Sequence, residues 1–290
     1  MKRLNPTLDV VFKLLFARNP ELLRAMLSAV LAQEISELTV LNPELPGDLS
    51  SEKLIRLDIR VVLQTGKRVV VEMQIRVTAE LAARVAYYTA RDYGQQLRRG
   101  EDYGALTPTV TVLWVVEPMF SAQMRLHSIY EMRERVTQHL FSEDLTIHVL
   151  QLSKINEGPA EDETFTEQAV RRWARFLTAR TEPEFRELAK EDRTMASAEK
   201  ALEKISQDPA AARLAQDRED ALTFYNIGLA MSREEGKAEG KAEGQRAMVV
   251  QLCELHGVEL TSERRAFLDA TDTDLAALFE HLAMKRSWPQ

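Results

Sequence analysis

The amino-acid sequence predicts an α/β layered domain followed by an all-α region, on three observations. Residues 54–75 alternate apolar and polar in two ribbons about a glycine turn, Thr109–Glu117 and Ile147–Leu152 are near-continuous apolar runs, and beyond Glu157 apolar residues recur at helical spacing. A period of two marks a strand with one face buried, an unbroken β-branched run marks a strand covered on both faces, and a period of 3.6 marks a helix.

The chain has 290 residues, 45% of them hydrophobic, which is ample for a buried core. It carries no apolar run of about 18 residues, and the charged start MKRLNPTLDVVFK lacks the apolar centre of a signal peptide, so no membrane partner and a cytoplasmic location are expected. One cysteine, Cys253, excludes an internal disulfide framework and a cysteine zinc cluster; its place in MVVQLCEL reads as a small buried hydrophobe. The net charge of −7 is unevenly spread. Residues 1–100 hold 15 Lys and Arg against 11 Asp and Glu, and residues 101–290 hold 23 against 34. The basic surplus lies in the first third, which permits phosphate contact there.

Taken in order, Asn5 or Thr7 is placed to cap a short helix through Phe16, with Pro6 near its start. Asp9 and Lys13 are four apart on it and form a favourable acid-to-base pair. Asn19-Pro20 opens a second helix to Leu31 with a stripe of Leu22, Leu23, Met26, Leu27 and Val30. LNPELPGDLSSEK is a loop feeding the hairpin.

In the hairpin, Ile55, Leu57, Ile59, Val61 and Leu63 alternate with Arg56, Asp58 and Arg60, while Val69, Val71, Met73 and Ile75 share one face of the second ribbon. Residues opposite one another in an antiparallel pair lie on the same face, so register is testable. A two-residue turn at Thr65-Gly66 sets Asp58 against Met73 and mismatches the faces. A three-residue loop, Gln64-Thr65-Gly66, pairs Leu63 with Lys67, Leu57 with Met73 and Asp58 with Glu72, and puts Gly66 where such loops need a left-handed residue. Two facing carboxylates disfavour joint ionisation unless neutralised. A divalent cation neutralises them, and it lowers the pKa of a bound water. The competing reading is a solvated sheet face, with Asp58 paired to Arg56 or Arg60 and Glu72 to Arg68.

Thr78 is expected to cap a helix from Ala79 to about Arg99, with Arg84, Tyr88 and Arg91 or Asp92 on one side and Leu81, Val85 and Leu97 on another. Thr109–Glu117 and Ile147–Leu152 follow as buried strands. His127, His139 and His148 show no helix-spaced ligand pair. EGPAEDE, from Glu157, is a boundary. Trp173, Phe176 and Leu177, then Leu202, Ile205, Leu222, Tyr225, Ile227 and Leu229, mark later helices. EEGKAEGKAEGQRA sets Gly236, Gly240 and Gly244 on one helix face, so a self-associating helix competes with a solvated linker. The expected divisions are residues 1–156, a core; 157–232, helical; 233–247, the repeat; and 248–290, a small helical end piece.

Asp58, followed after a hairpin by Glu72-Met73-Gln74, resembles the catalytic core of the PD-(D/E)xK nuclease superfamily. The chain is most similar to its recombination-promoting nuclease and putative transposase family, some of whose members carry ExQ in place of ExK. DVVFKLLF at Asp9, RVAYYTARDYGQQLRRGEDY at Arg84, VTVLWVVE and the Gly-Lys-Ala-Glu repeats fit the same family. The resemblance implies a restriction-endonuclease-like mixed sheet flanked by helices, and a metal-dependent DNA endonuclease associated with recombination or mobile elements. It makes Asp58, Glu72, Gln74 and Asp9 the catalytic set, with Asp58, Glu72 and the Met73 carbonyl as ligands of Mg²⁺, or of Mn²⁺ or Ca²⁺. Lys13, Arg84 and Tyr88 are the candidate substrate-binding residues. Gln74 orients water by hydrogen bonding but carries no cation, so the alternative is a catalytically weak or inactive nucleic-acid-binding or assembly protein on the same scaffold.

Overall fold

The computed structural model describes residues 3–41, 59–120, 125–157, 163–270 and 274–289. Most of the loop before the hairpin, the start of its first ribbon with Asp58, and most of the EGPAEDE boundary lie outside those residues. Contacts divide the chain into two compact units, 1–219 and 220–290.

The first unit is a mixed six-stranded sheet flanked by helices, with strand order β1-β2-β3-β4-β6-β5. The strands are β1 (Leu38–Val40), β2 (Ile59–Leu63), β3 (Arg68–Gln74), β4 (Thr109–Val115), β5 (His127–Arg133) and β6 (Leu140–Gln151). β3, β4 and β6 run parallel, and the other neighbours are antiparallel. Every residue of β4 is buried, as its unbroken apolar sequence requires of a strand hydrogen-bonded on both edges and covered on both faces.

Helix α3 (Leu81–Gly94) makes the crossover from β3 to β4, and its Leu81 and Val85 pack with Leu113, Val115 and Val149. It ends short of the expected Arg99 because Gln96 leaves the helix to clamp the entry to β4. Its Nε2 donates to Thr107 O at 2.8 Å and its Oε1 accepts from Thr107 N at 2.9 Å.

The other helices of this unit are α1 (Asp9–Ala17), α2 (Pro20–Val30), α4 (Phe165–Thr178), α5 (Glu182–Glu191) and α6 (Arg193–Gln207). The Leu22, Leu23, Met26, Leu27 and Val30 stripe of α2 is buried as expected. The rings of Phe12, Phe16, Trp173, Phe176 and Phe185 stack in sequence, with neighbouring centroids 4.7–6.1 Å apart. Capping differs from expectation. Leu8 precedes α1 without a side-chain cap, while Asn5 turns the chain by accepting from Thr7 N at 3.0 Å. Asn19-Pro20 does open α2 as expected, with Leu22 N donating to Asn19 O at 3.0 Å, and the Asn19 side chain also donates to Leu15 O of α1 at 2.7 Å.

Helix α7 (Pro209–His256) is continuous through the glycine repeat, begins in the first unit and ends in the second. It stops at Gly257, whose φ of +66° lets Val258 N donate to Cys253 O at 2.8 Å. In the second unit, α8 (Ser262–Asp269) and α9 (Leu275–Lys285) enclose a small core of Val249, Cys253, Leu268, Leu275, Leu278 and Leu282. Cys253 is fully buried there, and burial pushes its thiol pKa up. Among the described residues, no helix is long and apolar enough to cross a membrane.

Candidate active site on the β2–β3 hairpin

The hairpin has the odd loop. Ile59 pairs with Val71, Arg60 with Val70, Val61 with Val69 and Val62 with Arg68, and Leu63 N donates to Lys67 O at 2.9 Å. Gly66 takes φ +82°, the left-handed conformation that its place in the loop demands. Ile59, Val61, Leu63, Val69, Val71 and Met73 are buried on one face. Arg60, Arg68, Glu72 and Gln74 lie on the other, half-buried.

That second face is the one α3 covers, because in the parallel register Glu72 lies beside Leu113 and Gln74 beside Val115, both in the cluster with Leu81 and Val85. Gln74 Nε2 is 3.5 Å from Glu72 Oε2, at the limit of a hydrogen bond. The Gln74 carbonyl accepts from Val116 N at 3.0 Å and so points towards β4. Backbone groups alternate along a strand, so the Met73 carbonyl points the other way, towards β2, while its side chain is buried.

Asp9 opens α1 and is 8% exposed. Its carboxylate is gripped on both oxygens by Arg218 of α7; Arg218 Nε donates to Oδ1 at 2.9 Å, and the second contact joins Arg218 to Oδ2. This partner lies far along the chain, and nothing local in the sequence announces it. Lys13 is buried on the same helix, which packs against β3.

Arg84 and Tyr88 are exposed, one turn apart on α3, and Tyr88 stands edge-on to the exposed Tyr87 with centroids 5.4 Å apart. Thr89 hydrogen-bonds Thr111 at 2.7 Å, so α3 runs back along β4 with its N-terminal half at the level of Leu113. Below Tyr88 lies a cleft of about 50 Å³ lined by Arg60, Arg91, Asp92 and Gln95 as well. Asp92 is buried, 3.5 Å from Arg60 and 4.0 Å from Arg68. The sequence placed Arg60 and Arg68 beside Asp58 and Glu72; their shared partner Asp92 becomes visible only once α3 is laid on the sheet.

A second polar cluster escaped the sequence altogether. His127 on β5 and His148 on β6 stack with centroids 5.1 Å apart, His127 Nε2 lying 2.9 Å from His148 Nδ1. Burial lowers both, to about 4 for His127 and about 3 for His148, so the pair is neutral and one ring donates to the other. Cross-strand neighbours leave no spacing signal in a sequence.

Among the described residues no group of three or more His, Cys, Asp or Glu side chains gathers as a metal site. The donors present at the hairpin, a carboxylate from Glu72, the Gln74 amide and the Met73 carbonyl, are hard oxygen ligands of the kind Mg²⁺ takes alongside water.

The mixed sheet, the parallel crossover and an acid-bearing hairpin at its centre define a restriction-endonuclease-like α/β protein. Residues 6–229 match the family described as PD-(D/E)XK nuclease family transposase, and the chain belongs to that family. Neither the curated proteins nor the solved structures contain a match to the chain. Nucleases of this superfamily generally use divalent metal ions, and membership points to nuclease chemistry on DNA and to mobile elements.

Proposed function

We propose that this protein is a divalent-metal-dependent DNA endonuclease whose site is the pair Asp58 and Glu72. What supports this is the register of the described ladder, from Ile59 with Val71 to Val62 with Arg68, which is that of the three-residue loop for which the sequence sets Asp58 against Glu72. In this reading the two carboxylates and the Met73 carbonyl hold Mg²⁺, with Mn²⁺ or Ca²⁺ as substitutes. The bound ion supplies charge stabilisation at phosphorus and a lowered pKa for water. Gln74 orients the attacking water by hydrogen bonding. Water oxygen adds to phosphorus, one bridging P–O bond breaks, and the leaving oxygen takes a proton. Arg84, one turn before Tyr88 and near the level of Glu72, holds the phosphate with its two-pronged guanidinium, and Tyr88 flanks the strand. Lys13 adds positive charge from α1, the helix packed against β3. Asp9 positions water or a second ion when it exchanges its bond to Arg218 for one.

The glycine face of α7 serves self-association. At Gly236, Gly240 and Gly244 a Cβ meets open space within the chain, so a second helix can approach closely there.

The test is nicking of supercoiled plasmid in Mg²⁺. Asp58→Ala and Glu72→Ala each lower the rate at least about 100-fold while keeping the parent's thermal melt. Cleavage surviving in both sinks the site. The second reading, an inactive binding or assembly protein, draws on Gln74 standing where a cation is usual, and binding without cleavage by the parent supports it. Offering DNA and RNA together separates the two substrates.

A further inference from the structure

Four side chains, those of Arg84, Tyr87, Tyr88 and Arg91, stand out of an α3 surface otherwise made of exposed alanines and Gly94. At this spacing they form one stripe, with the rings between two guanidinium groups roughly 10 Å apart along the helix. Tyr87 is 61% exposed and Tyr88 42%, so large apolar area meets water. Among the described residues neither Arg84 nor Arg91 has a side-chain partner. The one acid of α3, Asp92, is buried and ion-paired to Arg60 and Arg68, and Glu80, one turn before Arg84, makes no ion pair with it. Tyr88 and Arg91 line a cleft with Arg60 of β2, so this flank of α3 looks towards the hairpin. Val85 packs with Leu113, the neighbour of Glu72 in the sheet, which sets the Arg84 end of the stripe at the level of Glu72.

We propose that this stripe binds an unpaired DNA strand, a base stacking on the rings of Tyr87 and Tyr88 while Arg84 and Arg91 hold phosphates to either side. This rests on the nuclease reading and names the class of DNA its site acts on, a strand that is single or locally melted. In a duplex the face of each base is covered by its neighbours and only the edges reach the grooves, so a tyrosine ring has nothing to stack on. An unpaired base offers its face whatever its identity, and an arginine fork matches phosphate. Docking through the duplex backbone alone would use the arginines and leave both rings in water.

The experiment measures binding of the full chain in EDTA, where metal-dependent cleavage is silent. The probes are a fluorescent duplex and a thymine strand of about 20 nucleotides carrying one 2-aminopurine, whose emission falls when it stacks; a single site covers about 4–16 nucleotides. The parent binds the strand about 10-fold tighter than the duplex and quenches the probe. Tyr87→Ala and Tyr88→Ala, both exposed changes that keep the thermal melt, each weaken strand binding about 10-fold and reduce the quench. Tyr88→Phe, which retains the ring, keeps both. Arg91→Ala lowers the slope of log affinity against log salt for the strand by about 0.7, the signature of one lost phosphate contact. Lys190→Ala, which removes an exposed cation of α5, leaves affinity and quench unchanged. A strand bound no tighter than the duplex, or a quench that survives loss of both rings, overturns the stripe, while plasmid nicking by the parent keeps the nuclease reading. A change of sedimenting mass in the tyrosine variants would make the rings a protein contact and overturn it too. A parent that neither binds nor nicks overturns the nuclease reading, and the stripe with it.

Discussion

His127 and His148 show how one pair of side chains sets a response to acid. Unfolded, each imidazole takes its proton near pH 6.5. Folded, burial delays protonation to about pH 4 for His127 and about pH 3 for His148. Between those limits the unfolded chain binds more protons, so this contribution is complete above about pH 6.5 and is lost as pH falls through the window. The urea midpoint therefore drops between about pH 7 and about pH 5, and the double variant H127L/H148L flattens that part of the profile. An equally steep profile in the variant would assign the acid sensitivity to other groups. The same scale explains what the sequence concealed. Asp9 and Lys13 advertise a helix-face pair, yet the grip of Arg218 on Asp9 depends on a helix some two hundred residues away. Burial of that carboxylate without a cation would be costly, which accounts for the long-range partner.

Elements were legible where one physical rule dominated. The hairpin followed from alternation plus Gly66, and β4 from a run that only a doubly covered strand accommodates. The reading failed where tertiary contacts decided. β1 is three residues long, β5 is largely exposed, and the first five residues of β6, LFSED, have β5 alone as their sheet neighbour and lie outside the core. None of these carries a core-facing pattern. The repeat resolves as part of α7, although Gly costs about 1 kcal/mol per residue in a helix interior. Self-association through that face predicts that Gly236→Leu/Gly240→Leu keeps helicity, since both positions open to space, and lowers the sedimenting mass to that of one chain. Unchanged mass would show that the glycines do not form the contact.

At the scale of the whole molecule, family membership covers residues 6–229 and so includes the sheet, its flanking helices and the first part of α7. The fold brings three regions of sequence to the sheet centre: the hairpin, α3 with its arginines and tyrosines, and α1 with Asp9 and Lys13. All lie in the basic first hundred residues, the part where the sequence leads phosphate contact to be expected. The central claim is that positions 58 and 72 face one another. Leu63 and Lys67 form a hydrogen-bonded pair, and if the ladder keeps that alternation beyond Ile59, 58 and 72 would be a non-hydrogen-bonded pair, a kind whose Cα atoms lie about 4.5 Å apart. That separation suits a disulfide. The most direct measurement is the thiol count of Asp58→Cys/Glu72→Cys after mild oxidation, with Asp58→Cys/Met73→Cys as the comparison. The facing register predicts a fall from three thiols to one in the first, with the buried Cys253 remaining, and no closure in the second. Closure of the second pair and not the first would put the two carboxylates on opposite faces of the sheet and contradict the site.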